Sequence, residues 1–94
     1  MPAATRKGDA GSGHGCFGAR PSIEGSPDVF INGKPAHRQD DAWDTHCCGP
    51  VCHDGKLAVG SPTVFVNGKP LGRVGDPVDC GSTVIDGSPN VFAN

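Results

Sequence analysis

Residues 25–35 read Gly-Ser-Pro-Asp-Val-Phe-Ile-Asn-Gly-Lys-Pro, and residues 60–70 read Gly-Ser-Pro-Thr-Val-Phe-Val-Asn-Gly-Lys-Pro. A third and shorter copy, Gly-Ser-Pro-Asn-Val-Phe-Ala-Asn, occupies residues 87–94. A repeat of this length indicates one supersecondary unit used several times, because a single copy cannot bury its own apolar residues. The sequence therefore predicts a pseudo-symmetric molecule built from three similar layers.

Each copy predicts a short β-hairpin. The β-branched and aromatic residues at 29–31 and 64–66 favour strands, and Asn-Gly after each run is the strongest two-residue hairpin signal. No window keeps apolar residues at helical spacing without an interrupting Gly or Pro. We therefore predict an all-β fold, a small pseudo-threefold assembly of short hairpins. It would form a single domain over 1–94, with repeats at about 6–38, 38–73 and 73–94 and no additional domain.

A second repeated element is an Arg followed three residues later by an Asp. It occurs once per layer, at Arg6 and Asp9, Arg38 and Asp41, and Arg73 and Asp76. We interpret these residues as structural Arg–Asp pairs, although three arginines could instead bind an anion. Between each Asp and the next hairpin lies a variable loop, and these loops carry most of the His and Cys residues.

Composition predicts a thin apolar core. The chain has 94 residues, of which 15 are Gly and 9 are Pro, and folding at this size hides only about 60–65 % of the unfolded surface. Such small domains usually need a disulfide, a metal or a partner to stay folded. The odd number of cysteines, five, argues against a fully paired disulfide framework. The N-terminus also lacks a hydrophobic leader, so we expect synthesis in a reducing cytosol, where metal is favoured over disulfides.

Several functional classes are disfavoured. The net charge is −2 and no basic run exists, so the chain lacks the positively charged surface typical of nucleic-acid binding. No apolar stretch approaches the roughly 20 residues of a membrane helix. Cys47 lies between two histidines, but no orienting third group accompanies it as a thiol nucleophile would require. The Gly-rich segment at 8–15 lacks the Lys-Ser/Thr pair of a phosphate-binding loop. We therefore predict a protein that is not an enzyme.

Potential metal ligands fall in register with the repeat. Each variable loop carries one of them four or five residues after its Asp, and these are His14, His46 and Cys80. Pseudo-threefold symmetry would bring the three positions together around one axis, and His53, late in the second loop, is the natural fourth ligand. Three His and one Cys suit Zn²⁺ in a closed tetrahedral site with no position left for water, which is typical of a structural metal.

Other arrangements of the cysteines remain open. Cys47, Cys48 and Cys52 could form a Cys-rich metal site with the flanking histidines, because their spacing is finger-like. Disulfides between Cys48 and Cys52, or between Cys16 and Cys47, could form after export. It also remains possible that the histidines are only exposed loop residues. His37 lies outside the loops and is interpreted as a surface or turn residue, and Trp43 as a hydrophobic anchor or part of a docking face.

Two segments match a known family. Residues 35–38 (Pro-Ala-His-Arg) and 70–73 (Pro-Leu-Gly-Arg) each follow the Gly-Ser-Pro-x-Val-Phe-x-Asn-Gly-Lys segment and precede an Asp three residues later. In this arrangement the chain resembles the Pro-Ala-Ala-Arg (PAAR) repeat proteins over roughly residues 6–94. It departs from the family pattern at Asp40, where Gly is usual, and in its additional cysteines.

The resemblance implies a cone of hairpins whose base caps a trimeric VgrG-type β-helical spike in a type VI secretion system. It also implies a zinc ion near the point, held by His14, His46, His53 and Cys80. Such a protein would be a monomer when free and would bind as one chain per trimer, with effectors as further candidate partners. It would be assembled in the cytoplasm and then expelled to puncture a membrane. The alternatives are a phage tail-spike tip and a free zinc-binding adaptor that links an effector to a carrier.

Overall fold

The computed structural model describes residues 1–94 and is all-β, as the sequence predicted. No helix of the molecule could cross a membrane. The strands pair into four separate antiparallel two-stranded sheets. The pairs are β1 (Ala10–Gly11) with β2 (Arg20–Pro21), β3 (Phe30–Ile31) with β4 (Lys34–Pro35), β5 (Ala42–Cys48) with β6 (Val51–Lys56), and β7 (Phe65–Val66) with β8 (Lys69–Pro70).

The two complete repeats form the predicted hairpins with the same register. Phe30 lies opposite Pro35, and Phe65 lies opposite Pro70. Both Asn-Gly turns have positive φ at both residues, with 54° and 78° in the first hairpin and 54° and 76° in the second. These values are typical of the type I′ turn, whose twist matches that of the flanking strands.

The third hairpin is completed by the other end of the chain. Ala3 forms an antiparallel bridge with Phe92, and the Ala4 amide donates to the Val91 carbonyl at 2.9 Å. The same bond joins Ala36 to Val29 in the first hairpin at 3.0 Å. The N-terminal residues therefore serve as the return strand of the third hairpin, which closes the three repeats into a ring.

A cyclic set of backbone hydrogen bonds marks the pseudo-threefold axis. The Thr5 amide donates to the Gly72 carbonyl at 3.0 Å, the Gly72 amide to His37 at 2.9 Å, and the His37 amide to Thr5 at 3.2 Å. All three residues are buried. The sequence-based interpretation of His37 as a surface residue was therefore wrong, because the return strand carries it onto the axis rather than to the edge.

The three Arg–Asp pairs are confirmed as ion pairs. In each layer the closest contact between guanidinium and carboxylate is 2.8 Å, and the carboxylate also accepts the backbone N–H of its own Arg at 2.8–2.9 Å. The residue before each Asp has positive φ, 94° at Gly8, 73° at Asp40 and 95° at Gly75. Asp40 therefore occupies a conformation that favours glycine.

The Gly-Ser-Pro segments hold the hairpins and link neighbouring layers. Ser26 is buried, and its hydroxyl accepts the amides of Asp28 at 3.2 Å and Val29 at 2.9 Å. Its hydroxyl also lies 2.6 Å from the side-chain oxygen of Asn67, in the turn of the next hairpin. Ser88 contacts Asn32 at the same distance. Polar side chains therefore replace much of the apolar contact that a larger domain would use between its elements.

Two small apolar clusters stack along the molecule, which measures 37 × 24 × 21 Å. The base core lies among the three hairpins and contains Ala4, Ile31, Ala36, Val66, Leu71 and Ala93. The upper core contains Trp43, Leu57, Val78 and Val84, and Cys80 packs against it. Trp43 is 1 % exposed, which confirms it as a hydrophobic anchor. The upper core connects the hairpin ring to the loops that carry the candidate ligands.

Candidate metal centre

The longest sheet of the molecule lies in the second variable loop, where the sequence showed no strand pattern. In the ladder of β5 with β6, His46 lies directly opposite His53. A register shift between Trp43 and His46 lets Trp43 enter the upper core while His46 faces the neighbouring loops. A β-bulge re-aims side chains in this way by inserting an extra residue into one strand.

The structure brings the four candidate ligands together from three separate segments. His14 comes from the loop between β1 and β2, His46 and His53 from the β5–β6 hairpin, and Cys80 from the third variable loop. Their potential ligand atoms all lie within 4.8 Å of one another. His46 is buried and the other three are partly buried. This group can hold a metal ion.

Distances within the group lie on both sides of those in a tetrahedral zinc site. The His53 Nε2 atom lies 3.1 Å from the His14 Nε2 and 2.7 Å from the His46 Nε2, and the Cys80 Sγ lies 3.9 Å from the His46 Nε2. Zinc bonded to imidazole nitrogen and thiolate sulfur places neighbouring ligand atoms about 3.3–3.6 Å apart. The donors therefore surround a volume of the right size for one such ion.

Hydrogen bonding fixes the tautomer of one ligand. The His46 Nδ1 lies 2.7 Å from the Gly18 carbonyl, and a carbonyl can only accept, so Nδ1 carries the proton. The lone pair of the His46 Nε2 then points into the group, as metal-binding imidazoles require. Partial desolvation and the neighbouring His46 and His53 lower the pKa of His14. The neutral form of His14, which binds metal, is therefore favoured.

Arg20 is a functional candidate that the sequence did not reveal. It is 6 % exposed, and its guanidinium donates to the Cys80 Sγ at 3.0 Å, the Ser82 hydroxyl at 2.8 Å and the Asp44 carbonyl at 3.1 Å. No carboxylate neutralises it, so its charge lies beside the sulfur that would bind a metal as thiolate. The only available signal was that Arg20, unlike the three repeated arginines, has no Asp three residues later.

Phe17 packs against all three histidines. The centre of its ring lies 4.2 Å from that of His53 and 4.9 Å from those of His14 and His46. The ring limits the access of water to the imidazoles from that side. Nothing in the sequence distinguished Phe17, because it lies outside the repeated segment.

The other four cysteines form two disulfides, Cys16–Cys48 and Cys47–Cys52, and Cys80 is left free. The pairings considered from the sequence, Cys48 with Cys52 and Cys16 with Cys47, were both wrong. Cys47 and Cys52 lie opposite each other in the β5–β6 ladder, a relation that could not be deduced while the segment was taken as a loop. These bonds use the thiols that the alternative Cys-rich metal site would need.

A known family matches most of this chain. The family model described as the PAAR motif matches residues 19–86. No curated protein matches the chain. The match includes both complete Gly-Ser-Pro hairpins, the β5–β6 hairpin and Cys80, and it supports a spike-tip type of function together with metal binding. The chain belongs to the PAAR-motif family.

Proposed function

We propose that this protein is the tip of a secretion spike, with one chain capping a trimeric VgrG-type protein. The observation that carries the proposal is a set of three equivalent phenylalanines exposed on the hairpin ring. Phe30, Phe65 and Phe92 are 57 %, 57 % and 50 % exposed. Large apolar side chains exposed in a symmetric set are typical of a surface that a partner covers.

The symmetry of the hairpin ring suits a trimer. A single chain has only one copy of most surfaces, but here each layer offers an antiparallel pairing and an equivalent exposed Phe, although only the first two layers have the Asn-Gly turn. Each layer can therefore contact one protomer of a threefold partner in a similar way. The unpaired hairpin edges, which are normally an aggregation hazard, would be covered in the complex.

Zinc is the metal that best suits the donor set. Three imidazole nitrogens and one sulfur form a borderline-soft tetrahedral group, which fills the coordination of Zn²⁺ and leaves no position for a reacting water. When bound, the ion would supply a cross-link between the three segments that carry its ligands. His14, His46, His53 and Cys80 would hold it, and Arg20 would balance the charge of the thiolate. This role is structural and not catalytic.

The proposed cycle begins in the cytoplasm, where the tip would be assembled on the spike. The spike would then be expelled through the sheath machinery, and the metal-bearing end would lead during membrane puncture and effector delivery. A small body whose loops are tied by metal at one end resists deformation better than its thin apolar core alone would allow.

A single charged substitution on the hairpin ring tests the docking surface. Phe65→Asp should abolish co-purification with the trimeric spike protein, because it places a charge in the apolar contact. Ile85→Asp is the matched control, since Ile85 is 50 % exposed but lies outside the hairpins, and it should bind normally. Equal binding by both variants would contradict the proposed surface.

Metal analysis tests the ligand set. Protein never exposed to chelator should contain about one equivalent of zinc per chain, and His14→Ala or Cys80→Ala should lose most of it. Cys47→Ser is the control and should retain the metal, because the Cys47 thiol is used in a disulfide. A protein without zinc, or a Cys47 variant that loses as much as the Cys80 variant, would reject this site.

A further inference from the structure

The four disulfide cysteines lie beside the candidate ligands along the chain, and nothing in the function above uses them. Cys16 follows His14 by two residues, Cys47 follows His46 directly, and Cys52 directly precedes His53. The Cα–Cα distances are 5.2 Å for Cys16–Cys48 and 4.1 Å for Cys47–Cys52. Both are close to the range over which a disulfide forms without backbone movement.

The two disulfides have different places relative to the metal centre. Cys47–Cys52 joins directly opposed positions of one hairpin. Side chains alternate between the two faces of a strand, so this bond lies on the face opposite His46 and His53. The ladder already holds those two histidines together, so this disulfide adds little further restraint on their positions.

Cys16–Cys48 instead joins two segments that are 32 residues apart. It ties the loop that carries His14 to the end of β5. The other contacts from that loop to the hairpin are the hydrogen bond between the His46 imidazole and the Gly18 carbonyl and the contacts of the His14 and Phe17 rings. The disulfide and a bound metal would therefore fasten the same loop to the same hairpin in two independent ways.

We propose that the four cysteines are an oxidative clasp over the metal centre, open in a reducing compartment and closed outside it, and that Cys16–Cys48 slows metal release. The proposal rests on the metal binding proposed above. A metal leaves by losing its ligands one at a time, and a detached His14 would remain near the ion because Cys16 holds its loop. A tethered group rebinds at high effective concentration, which can improve retention by orders of magnitude.

The oxidant is a small-molecule disulfide such as oxidised glutathione. One cysteine thiolate attacks a sulfur of the oxidant, forms a mixed disulfide and expels one glutathione thiolate. The second cysteine then attacks the protein sulfur, closes the bond and expels the second thiolate. Two protons leave the protein for each bond, and each oxidant molecule is reduced to two thiols.

Intact mass and zinc release test the clasp on the full-length protein. Zinc-loaded, reduced protein treated with oxidised glutathione should lose about 4 Da, two hydrogens for each bond. Peptide mapping should then identify Cys16–Cys48 and Cys47–Cys52. Release of zinc to a chromogenic chelator should be at least about tenfold slower from oxidised than from reduced protein.

Paired variants separate the two bonds. Cys16→Ser with Cys48→Ser should abolish the difference in release rate, and Cys47→Ser with Cys52→Ser should leave most of it. Equal release rates from wild-type protein in the two states, with both disulfides verified, would overturn the retention role. Unchanged mass after oxidation would overturn the clasp itself. Absence of zinc in both states would contradict the metal site and with it the retention role, while mass and mapping still decide whether the bonds form.

Discussion

Three equivalent residues at the pseudo-threefold axis differ in their side chains although their backbones make the same contacts. Thr5, His37 and Gly72 occupy equivalent positions in the ring of backbone hydrogen bonds. A Cβ on Gly72 would lie 2.7 Å from Leu57 and 2.8 Å from Thr5, so only one large side chain fits at this level. His37 fills that space, with its Nδ1 2.7 Å from the Glu24 carbonyl and its ring packed edge-on against Trp43 at 5.0 Å.

Burial of His37 makes the stability of the fold depend on pH. Desolvation lowers its pKa from the ordinary value of 6.5, so below that pH the unfolded chain binds a proton that the folded chain does not. The free energy of unfolding should therefore fall as the pH drops below about 6.5, and the loss continues down to the folded-state pKa.

The substitution His37→Asn tests this expectation. Asn keeps a donor for the Glu24 carbonyl but cannot titrate. Urea unfolding of metal-free protein with both disulfides intact, between pH 7.5 and 5, should show a shallower pH slope for the variant than for the wild type. Contributions from His14, His46 and His53 cancel in that difference. Parallel slopes would show that His37 is protonated as easily in the folded protein as in the unfolded chain.

Arg20 should tune the metal centre without being a ligand. Arg20→Met removes the positive charge next to the Cys80 sulfur and should weaken zinc binding about 10- to 100-fold, as changes beside metal ligands commonly do. Arg20→Lys keeps the charge but loses the forked contacts to Ser82 and Asp44, so its affinity should be intermediate. Competition with a chelator measures the zinc affinities of the wild type and the two variants. Equal affinities in the three proteins, all of them folded, would show that Arg20 does not contribute to zinc binding.

At the scale of elements, the sequence predicted the hairpins that carry its repeat and missed the longest one. The Asn-Gly turns made β3–β4 and β7–β8 predictable, because only a few residue types accept positive φ at both turn positions. The β5–β6 hairpin has no such mark. Its residues are mostly His, Cys, Asp and Thr, which give no alternation of apolar and polar positions. Two side-chain links also join its strands, the Thr45–Asp54 contact and the Cys47–Cys52 disulfide.

Within the candidate site, too, some residues were predictable from the sequence and others were not. The grouping of the four candidate ligands was predictable because three of them lie four or five residues after the Asp of their repeat. Arg20 and Phe17 were not predictable, because each occurs once and acts only through contacts that the fold creates. The third hairpin was recognised only in part, since its return strand comes from residues 2–6 at the other end of the sequence.

The turn asparagines should connect the layers energetically. Asn67 accepts from Arg38 at 2.8 Å, contacts Ser26, and donates to Asp28 at 2.8 Å. Asn67→Gly keeps the positive φ but removes these bonds, and it should cost about 1–3 kcal/mol of stability. Asn94, at the same position of the third copy, is exposed and lacks these contacts, so Asn94→Gly should be nearly neutral. Similar costs in urea unfolding for the two variants would contradict a layer-linking role.

At the scale of the whole molecule, ten apolar residues in two clusters form the buried core. A core of this size gives little stability to a chain of 94 residues. The repeated ion pairs and the serine and asparagine bonds add to it, and the proposed metal would supply the remainder. Structural zinc sites in small peptides bind with about 10–16 kcal/mol, which exceeds the net stability of many small domains.

Chelation should therefore lower the Tm sharply. In reducing buffer, where the disulfides do not contribute, metal removal should lower the Tm by more than about 20 °C or unfold the chain. Restoring one equivalent of zinc should restore the transition, which provides the control for irreversible damage. An unchanged melting curve after verified removal would show that the hairpin ring is stable without metal.

Native mass spectrometry of the protein mixed with a trimeric VgrG-type spike tests whether one metal-bearing chain caps a threefold partner. We expect a free monomer with one zinc ion and a complex of one chain, one zinc ion and one trimer. Three chains bound to each trimer, or a stable homotrimer of this protein alone, would contradict it.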